Sequence, residues 1–309
     1  MNKPVMCFDV GGSFIKSAVC FGDNTLTETG KVPMPADDWQ GFCQALARLL
    51  KTAAPLLAED SPVAISAAGV VDPVSDTILA GNIPAFRGRT VARELSAFLQ
   101  RPVVIANDAD CFTLAEASED AGQPPSVLLG IILGSGVGGG LVINQQIIRG
   151  AGGLTGEWGH GPITRTEFEY QGQTLHLPRL RCGCGQFGCL DTLGGARGLE
   201  RLHQHLLGRA ADSRAIIEQW LNHAPGATKV VTLWSQLVSE VLSVVVNTLG
   251  PDRIVAGGGL ASVPALVARL DEDLRARILR PCSQPLIEQA RYQQQGGLLG
   301  AGRLARALT

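Results

Sequence analysis

The fold of this protein is decided by residues 6–13, which read MCFDVGGS. An apolar strand ends in an acid, and a turn of two glycines and a hydroxyl residue follows it. Backbone N–H groups in such a turn can converge on phosphate oxygens. A tight hairpin in a sheet without a catalytic role would use the same glycines, so this stretch alone leaves both interpretations open.

A second copy of this hairpin begins at Val127. A strand runs to Leu133, the turn Gly134-Ser135-Gly136 follows, and another strand runs from Gly140 to Asn144. The repeat predicts two α/β lobes whose turns face each other across a cleft, as a bound nucleoside triphosphate would require. It is not a Walker motif, because no Gly-Lys-Ser/Thr follows at the right spacing.

Strands and helices alternate through the rest of the chain. Apolar runs predict strands at 6–10, 17–21, 63–67, 102–106, 127–133, 140–144 and 253–256, and helical periodicity predicts helices at 37–51, 109–119, 229–247 and 265–274. Because the pattern restarts near Ala106, residues 1–106 are predicted to form the first lobe and 107–291 the second. A C-terminal helix of about 292–309 is expected to pack back on the first lobe.

Composition excludes several classes of protein. With 17% charged residues, 45% hydrophobic residues and a net charge of −2, the chain has neither the basic excess of a nucleic-acid-binding protein nor the polarity of a disordered one. The N-terminal run lacks the pattern of a signal peptide, and every apolar run is shorter than the roughly 20 residues that span a bilayer. We therefore expect no nucleic-acid or membrane partner. A reducing, cytoplasmic location is indicated by dispersed cysteines in apolar surroundings: Cys7, Cys20, Cys43, Cys111 and Cys282.

Asp108 is the candidate catalytic acid. It directly follows an apolar strand and Asn107, a position from which a carboxylate projects into a cleft. Transfer of a phosphoryl group to a hydroxyl needs such a carboxylate to orient the nucleophile and accept its proton. A helix N-cap before Ala109 explains the same residue equally well, so the local sequence does not decide.

A metal site is predicted from His160, Cys182, Cys184 and Cys189. Three thiols within eight residues, separated by glycines, suit tetrahedral zinc with one imidazole. Four protein ligands leave no position for an activated water, so the metal is expected to be structural. The remaining histidines are predicted to be surface imidazoles: His176, His203, His205 and His223.

Together these segments resemble the ROK family of sugar kinases and repressors from Asp9 to about Ala301. The most specific part is Leu133 to His160 with the Cys-x-Cys-Gly-x-x-Gly-Cys segment after it. The resemblance implies an actin-like ATPase (ribonuclease H-like) fold of two α/β lobes with an interlobe cleft, and ATP bound with Mg²⁺. The residues it assigns to the nucleotide are Asp9, Gly11, Gly12, Ser13, Gly134, Ser135, Gly136, Gly257, Gly258 and Gly259.

By the same resemblance, Asp108 is the general base for the 6-hydroxyl of a sugar. The sugar would be surrounded by Gly69, Asn82, Asn107, Glu157, His160 and Asp191. One nitrogen of His160 would bind zinc and the other would face a sugar hydroxyl, so the metal would fix the orientation of the ring.

The chain departs from the family pattern at a few positions. Ser13 and Ser135 stand where threonine is usual, which keeps the hydroxyl, and Ala68 stands where a proline commonly precedes the glycine. Asp191 stands where the family has glutamate, so a contact near carbons 1 and 2 of the sugar is expected to lengthen or to involve water.

The leading substrate is N-acetyl-D-glucosamine, because residues 80–85, 177–189 and 296–301 resemble bacterial kinases of that sugar. N-acetylmannosamine, glucose and fructose remain alternatives, since a few loop contacts discriminate them. A sugar-responsive regulator without kinase activity is a further alternative. A repressor would need a helix-turn-helix module, and only eight residues precede Asp9. The family also favours a homodimer.

Overall fold

The computed structural model describes residues 3–80, 83–117 and 124–306. The strands are Val5–Val10 (β1), Phe14–Cys20 (β2), Leu26–Pro33 (β3), Val63–Ala67 (β4), Val70–Val71 (β5), Ile78–Leu79 (β6), Val103–Asn107 (β7), Val127–Leu133 (β8), Val137–Ile143 (β9), Gln146–Ile147 (β10), Glu167–Tyr170 (β11), Gln173–His176 (β12), Arg253–Gly257 (β13) and Ile287–Gln289 (β14). The helices are Trp39–Ala53 (α1), Val91–Leu99 (α2), Asp108–Glu116 (α3), Asp191–Gly194 (α4), Ala196–Leu207 (α5), Ser213–Leu221 (α6), Pro225–Leu249 (α7), Pro264–Arg275 (α8) and Gly296–Arg306 (α9).

Two five-stranded sheets carry the architecture, with strand orders β3-β2-β1-β4-β7 and β10-β9-β8-β13-β14. In each sheet a hairpin of antiparallel strands is continued by parallel strands: β1 pairs with β4 and β4 with β7, while β8 pairs with β13 and β13 with β14. The predicted duplication of one α/β topology is therefore present, and residues 63–67 and 127–133 form strands with the predicted bounds.

The chain divides into two compact units. The first comprises Met1–Pro124, Gly140–Thr155 and Tyr292–Thr309, and the second comprises Pro125–Gly139 and Gly156–Arg291. The boundary predicted near Ala106 falls within the first segment of the first unit. The C-terminal helix α9 belongs to the first unit, where it packs against α3, β1 and β4. The last three residues of the C-terminal segment, and the end of the helix predicted at 109–119, lie outside the described residues.

Each unit has its own core. In the first, the central strands β1 and β4 are buried on both faces, as expected for strands covered by helices on each side. In the second, α7 is the central helix, and Trp234 near its middle is fully buried with its indole Nε1–H donating to the Gly194 carbonyl at 2.8 Å.

Over the described ranges, α7 alone is long and apolar enough to cross a membrane, but 56% of its most apolar window is buried inside the protein. Core helices of soluble proteins have the same properties.

Gly300 lets α9 and α3 approach closely. A Cβ at Gly300 would lie 1.7 Å from the carbonyl oxygen of Cys111, so the two backbones must separate to accept it. We expect Gly300→Ala to lower the free energy of unfolding by about 2 kcal/mol. Denaturant unfolding would measure this. Gly138→Ala, where a Cβ meets nothing within 4 Å, should change stability much less, and equal stability of both variants would contradict the prediction.

Candidate functional site

In the first unit, three parallel strands end at one edge and bring polar residues together. Asp9 lies near the end of β1, paired with Ser66 of β4, and Asn107 ends β7 opposite Ala67 of β4. The carboxyl ends of neighbouring parallel strands are where ligands bind in open α/β sheets. Asp9 and Asn107 therefore share an edge although nearly 100 positions separate them in sequence.

The first glycine turn closes the β1–β2 hairpin beside Asp9. Gly11 N–H donates to the Phe14 carbonyl at 3.0 Å, and both Gly12 and Ser13 are exposed. Ser66 Oγ donates to Asp9 Oδ1 at 3.1 Å. Burial raises the pKa of the Asp9 carboxyl, and the Ser66 hydrogen bond offsets part of that rise. The exposed Gly12 and Ser13 of the turn therefore lie close in the chain to a mostly buried acid.

Lys16 was not assigned a role from the sequence. It pairs directly with Asp9 across the β1–β2 ladder, and its Nζ lies 4.0 Å from Asp9 Oδ2. The register of the predicted hairpin could have identified Lys16, because residues opposite each other on paired strands lie on the same face of the sheet. Lys16 adds a positive charge beside the predicted phosphate turn.

Asn107, and not Asp108, is the N-cap of α3. The Asn107 side-chain oxygen accepts hydrogen bonds from the N–H groups of Ala109 and Asp110 at 2.8 and 3.3 Å. Asp108 is the first residue of the helix, is half-buried, and accepts from Ala109 N–H at 2.9 Å through Oδ1. Since Asn107 fulfils the capping role, helix capping alone does not account for the acid at position 108.

Gly69 lies beside Asn107, whose Nδ2 donates to the Gly69 carbonyl at 2.9 Å. The φ of Gly69 is 129°, a conformation that L residues rarely adopt, and a Cβ there would lie 2.8 Å from the Leu79 carbonyl oxygen. This position therefore requires glycine whether or not a proline precedes it. Asn82, which was assigned to the sugar, lies outside the described residues.

In the second unit, the structure brings together two glycine segments assigned to the nucleotide. The turn Gly134-Ser135-Gly136 closes with Gly134 N–H donating to the Gly136 carbonyl at 3.1 Å. Gly258, with φ of 90°, follows β13, and a Cβ there would lie 2.6 Å from the carbonyl oxygen of Leu133. The parallel pairing of β8 with β13 places both segments at the same strand ends.

The Cys/His cluster consists of His160, Cys182, Cys184 and Cys189, whose ligand atoms all lie within 4.8 Å of one another. Cys184 Sγ is 3.7 Å from Cys189 Sγ, and Cys182 Sγ is 3.6 Å from His160 Nδ1. Sulfurs bound to one tetrahedral zinc at about 2.3 Å are separated by roughly 3.8 Å. The donor set and its spacing therefore fit zinc.

The thiols of this cluster have unequal acidity before any metal is considered. Burial raises the pKa of Cys189 to about 12, while hydrogen bonding to the Gln186 backbone lowers the pKa of Cys184. A bound cation would favour the thiolate form of all three, and zinc affinity would therefore increase with pH.

His160 and Glu157 form a polar pair next to the cluster. His160 Nδ1 faces Cys182, and its other nitrogen, Nε2, lies 3.7 Å from Glu157 Oε2. Burial raises the pKa of the Glu157 carboxyl, and His160 opposes the rise. Both side chains remain about one-third exposed and so keep contact with solvent. The ring can therefore offer one nitrogen to a metal and the other to a ligand.

Asp191 begins α4, two residues after Cys189. Its Oδ1 accepts a hydrogen bond from Val137 N–H at 2.8 Å, immediately after the second glycine turn, and its Oδ2 lies 3.9 Å from Cys182 Sγ. The sequence-based assignment of Asp191 to the sugar did not include this contact. No local sequence signal could have found it, because 54 positions separate the two groups.

One histidine prediction was wrong. His176, His205 and His223 are exposed, but His203 is buried on α5, with Nδ1 2.8 Å from the Arg209 carbonyl oxygen. Its position on the inner face of an amphipathic helix decides this burial, and polar neighbours in the sequence concealed it.

Comparison with known proteins agrees with the fold and the motifs. The model of the ROK family matches residues 5–307. The chain is 35% identical over 297 residues to N-acetyl-D-glucosamine kinase of Escherichia coli O127:H6 (strain E2348/69 / EPEC), covering 96% of this chain and 97% of the relative.

Two solved structures are similar over nearly the whole chain. ROK hexokinase from Thermus thermophilus has a TM-score of 0.81 and 28% identity, covering 99% of this chain and 100% of its own. A ROK family glucokinase from Streptomyces griseus, solved with glucose and AMPPNP, has a TM-score of 0.77 and 24% identity over 98% and 99%, and supports the fold alone. The predicted actin-like fold and sugar-kinase class are confirmed. The match to the family model over residues 5–307 shows that this chain belongs to the ROK family.

Proposed function

We propose that this protein transfers the γ-phosphoryl group of ATP to the 6-hydroxyl of N-acetyl-D-glucosamine. The observation that carries the chemistry is the Asp108 carboxylate directly after β7, next to an asparagine that already caps α3. The choice of sugar is supported by the 35% identity to an N-acetyl-D-glucosamine kinase over almost the full length of both chains.

In the proposed reaction, Asp108 orients the 6-hydroxyl and accepts its proton as the oxygen attacks the γ-phosphorus. Phosphoryl transfer depends mainly on positioning and charge stabilisation, so one carboxylate near the hydroxyl is the acid–base group it needs. Asn107 holds the backbone at this point through its bonds to α3 and to Gly69. Glu157 and His160, with Gly69 and Asn82, complete the sugar-binding residues of the proposal.

The proposal assigns ATP to the residues of the two glycine turns with Asp9 and to residues 257–259. The N–H groups of Gly12, Ser13, Ser135 and Gly136 would donate to phosphate oxygens, because those of Gly11 and Gly134 close the two turns. Residues 257–259 would lie near the nucleoside. Mg²⁺ would accompany the nucleotide, and Asp9 is the acid nearest the first turn. Lys16 would offset negative charge on the phosphates from beside Asp9.

We also propose that the Cys/His cluster holds a structural zinc. Zinc would tie His160 to the loop of residues 182–189 and keep that loop folded. The nitrogen of His160 that faces Cys182 is Nδ1. The Nε2 atom would then be held near Glu157 and available to a sugar hydroxyl.

All eight cysteines lie among the described residues and are thiols, which supports a reducing, cytoplasmic compartment. A homodimer is proposed from family membership.

A coupled ADP-release assay tests the substrate. With Mg-ATP and zinc-loaded protein, we expect kcat/KM for N-acetylglucosamine to exceed those for N-acetylmannosamine, glucose and fructose by about tenfold or more. Glucose lacks the acetamido group and its hydrogen bonds and apolar contact, and N-acetylmannosamine carries that group with the opposite configuration at carbon 2, so differences of this size are ordinary. Preference for another of these sugars would reassign the substrate, and turnover of none of them by folded protein would contradict the kinase itself.

A further inference from the structure

We propose that Asp191 is a positioning residue of the second phosphate turn, Gly134–Gly136, and acts on the nucleotide rather than chiefly on the sugar. The inference deepens the proposed function and rests on it, because it requires that this turn bind ATP. It concerns residues of the second unit only.

The first observation is a hydrogen bond at the base of the turn. Val137 N–H, directly after Gly136, donates to Asp191 Oδ1 at 2.8 Å. Val137 is buried, so its N–H would lack water if the carboxylate were removed. A buried N–H that loses a charged acceptor costs more than an ordinary hydrogen bond, because its desolvation is no longer compensated. Asp191 therefore holds the backbone at the point where the turn becomes β9.

The second observation is the fit between this carboxylate and Gly136. A Cβ at Gly136 would lie 2.2 Å from Asp191 Oδ1, so the carboxylate occupies the space that a side chain would need. Aspartate has the length for this contact. Glutamate, one methylene longer, would have to fold back or displace the turn to place an oxygen at the same point.

The third observation is that the residues after Asp191 hold the same turn. Ala196 N–H donates to the Gly134 carbonyl at 2.8 Å and Arg197 N–H to the Ser135 carbonyl at 3.4 Å. A Cβ at Gly195 would lie 2.6 Å from the Gly136 Cα. The segment from Asp191 to Arg197 therefore contacts each residue of the turn. Its backbone contacts Gly134, Ser135 and Gly136, and the Asp191 side chain accepts from Val137 N–H.

The Asp191 carboxylate also faces the Cys/His cluster, with Oδ2 3.9 Å from Cys182 Sγ. Cys189 lies two residues before Asp191, so one short segment connects the proposed zinc loop to the phosphate turn. Disorder of the cluster would therefore be transmitted to the turn through Asp191.

Three substitutions of Asp191 separate positioning of the turn from sugar binding. Asp191→Asn keeps an oxygen that accepts from Val137 N–H, Asp191→Ala removes it, and Asp191→Glu keeps the charge but changes its reach. With zinc-loaded full-length protein, we would measure the Kd of Mg-AMPPNP, the KM of ATP and of the sugar, zinc content, and amide hydrogen exchange at Val137.

We expect Asp191→Ala to weaken AMPPNP binding about tenfold and to speed exchange at Val137, with the sugar KM changed less than about twofold. Asp191→Asn should stay within about twofold of wild type in both properties, and Asp191→Glu should resemble Asp191→Ala. Asp212→Ala is the matched control, because Asp212 accepts a backbone N–H at the same distance of 2.8 Å, from Ala215, away from the turn. It should leave nucleotide binding unchanged.

Three outcomes would overturn the inference: unchanged AMPPNP binding in folded Asp191→Ala, an effect confined to the sugar KM, or recovery by glutamate but not by asparagine. The last two are the results expected of a sugar ligand. Failure of the proposed function is distinguishable, since wild-type protein would then bind no AMPPNP although the exchange pattern at Val137 followed the same order among the variants.

Discussion

Replacing Asp108 by asparagine is expected to lower kcat for sugar phosphorylation by about a thousandfold, with little change in the sugar KM. The substitution removes the group that accepts the proton of the attacking hydroxyl. It keeps the side-chain shape and an oxygen that accepts from Ala109 N–H, as Asp108 Oδ1 does at 2.9 Å. Asn107 still caps α3 through its bonds to Ala109 and Asp110, so the helix should form normally.

The measurement is steady-state kinetics together with thermal unfolding. Asp212→Asn is a suitable control, because Asp212 accepts an N–H at the start of α6 and lies outside the proposed site. It should retain full activity. Turnover of Asp108→Asn within a fewfold of wild type, at unchanged stability, would show that another group accepts the proton.

The second large effect is expected at the Cys/His cluster. Cys184→Ser should abolish zinc binding and lower the free energy of unfolding by about 4 kcal/mol, because metal affinity is coupled to folding of the loop that supplies the ligands. Cys184 is exposed, so in the absence of metal a serine there would cost little in packing. A large loss of stability would therefore report the metal and not a cavity.

Zinc content by elemental analysis and unfolding with and without a chelator would test this prediction. Cys282→Ser is the control, since Cys282 is partly exposed and lies outside the cluster. Chelation should destabilise the wild type and the control but not Cys184→Ser. Full zinc content in Cys184→Ser, or a chelator that has no effect on the wild type, would contradict a structural zinc.

Predictions from the sequence succeeded where local chemistry is decisive. The two glycine turns, the strands of residues 63–67 and 127–133, and the long helix α7 follow from apolar runs, periodicity and glycine. The hairpin β11–β12 and helices α5 and α6 were not predicted. Their segments carry many polar residues. Helices α5 and α6 pack against α7, and this burial selects their conformation.

The candidate site was only partly accessible from motifs. Residues of one motif are close in space because they are close in sequence, as with Cys182, Cys184 and Cys189. The contact of Asp191 with Val137 and the register of Lys16 with Asp9 depend on how distant segments pair. The assignments of individual residues to ATP and sugar stay predictions that the experiments above address.

By itself the sequence determined the family, the duplicated α/β topology and the donor set of the Cys/His cluster, because turn chemistry, strand patterning and ligand spacing are local properties. Only the tertiary structure decided that Asn107 caps α3 beside Asp108, that His203 is buried, and that Asp191 accepts a hydrogen bond from Val137 beside the second glycine turn. The Asn107 cap is a local contact, but the sequence offered Asp108 as an equally good cap, and only the backbone geometry chose between them. The burial of His203 and the contact of Asp191 depend on packing between segments far apart in the chain, whose free energy arises only when the complete fold brings the partners together.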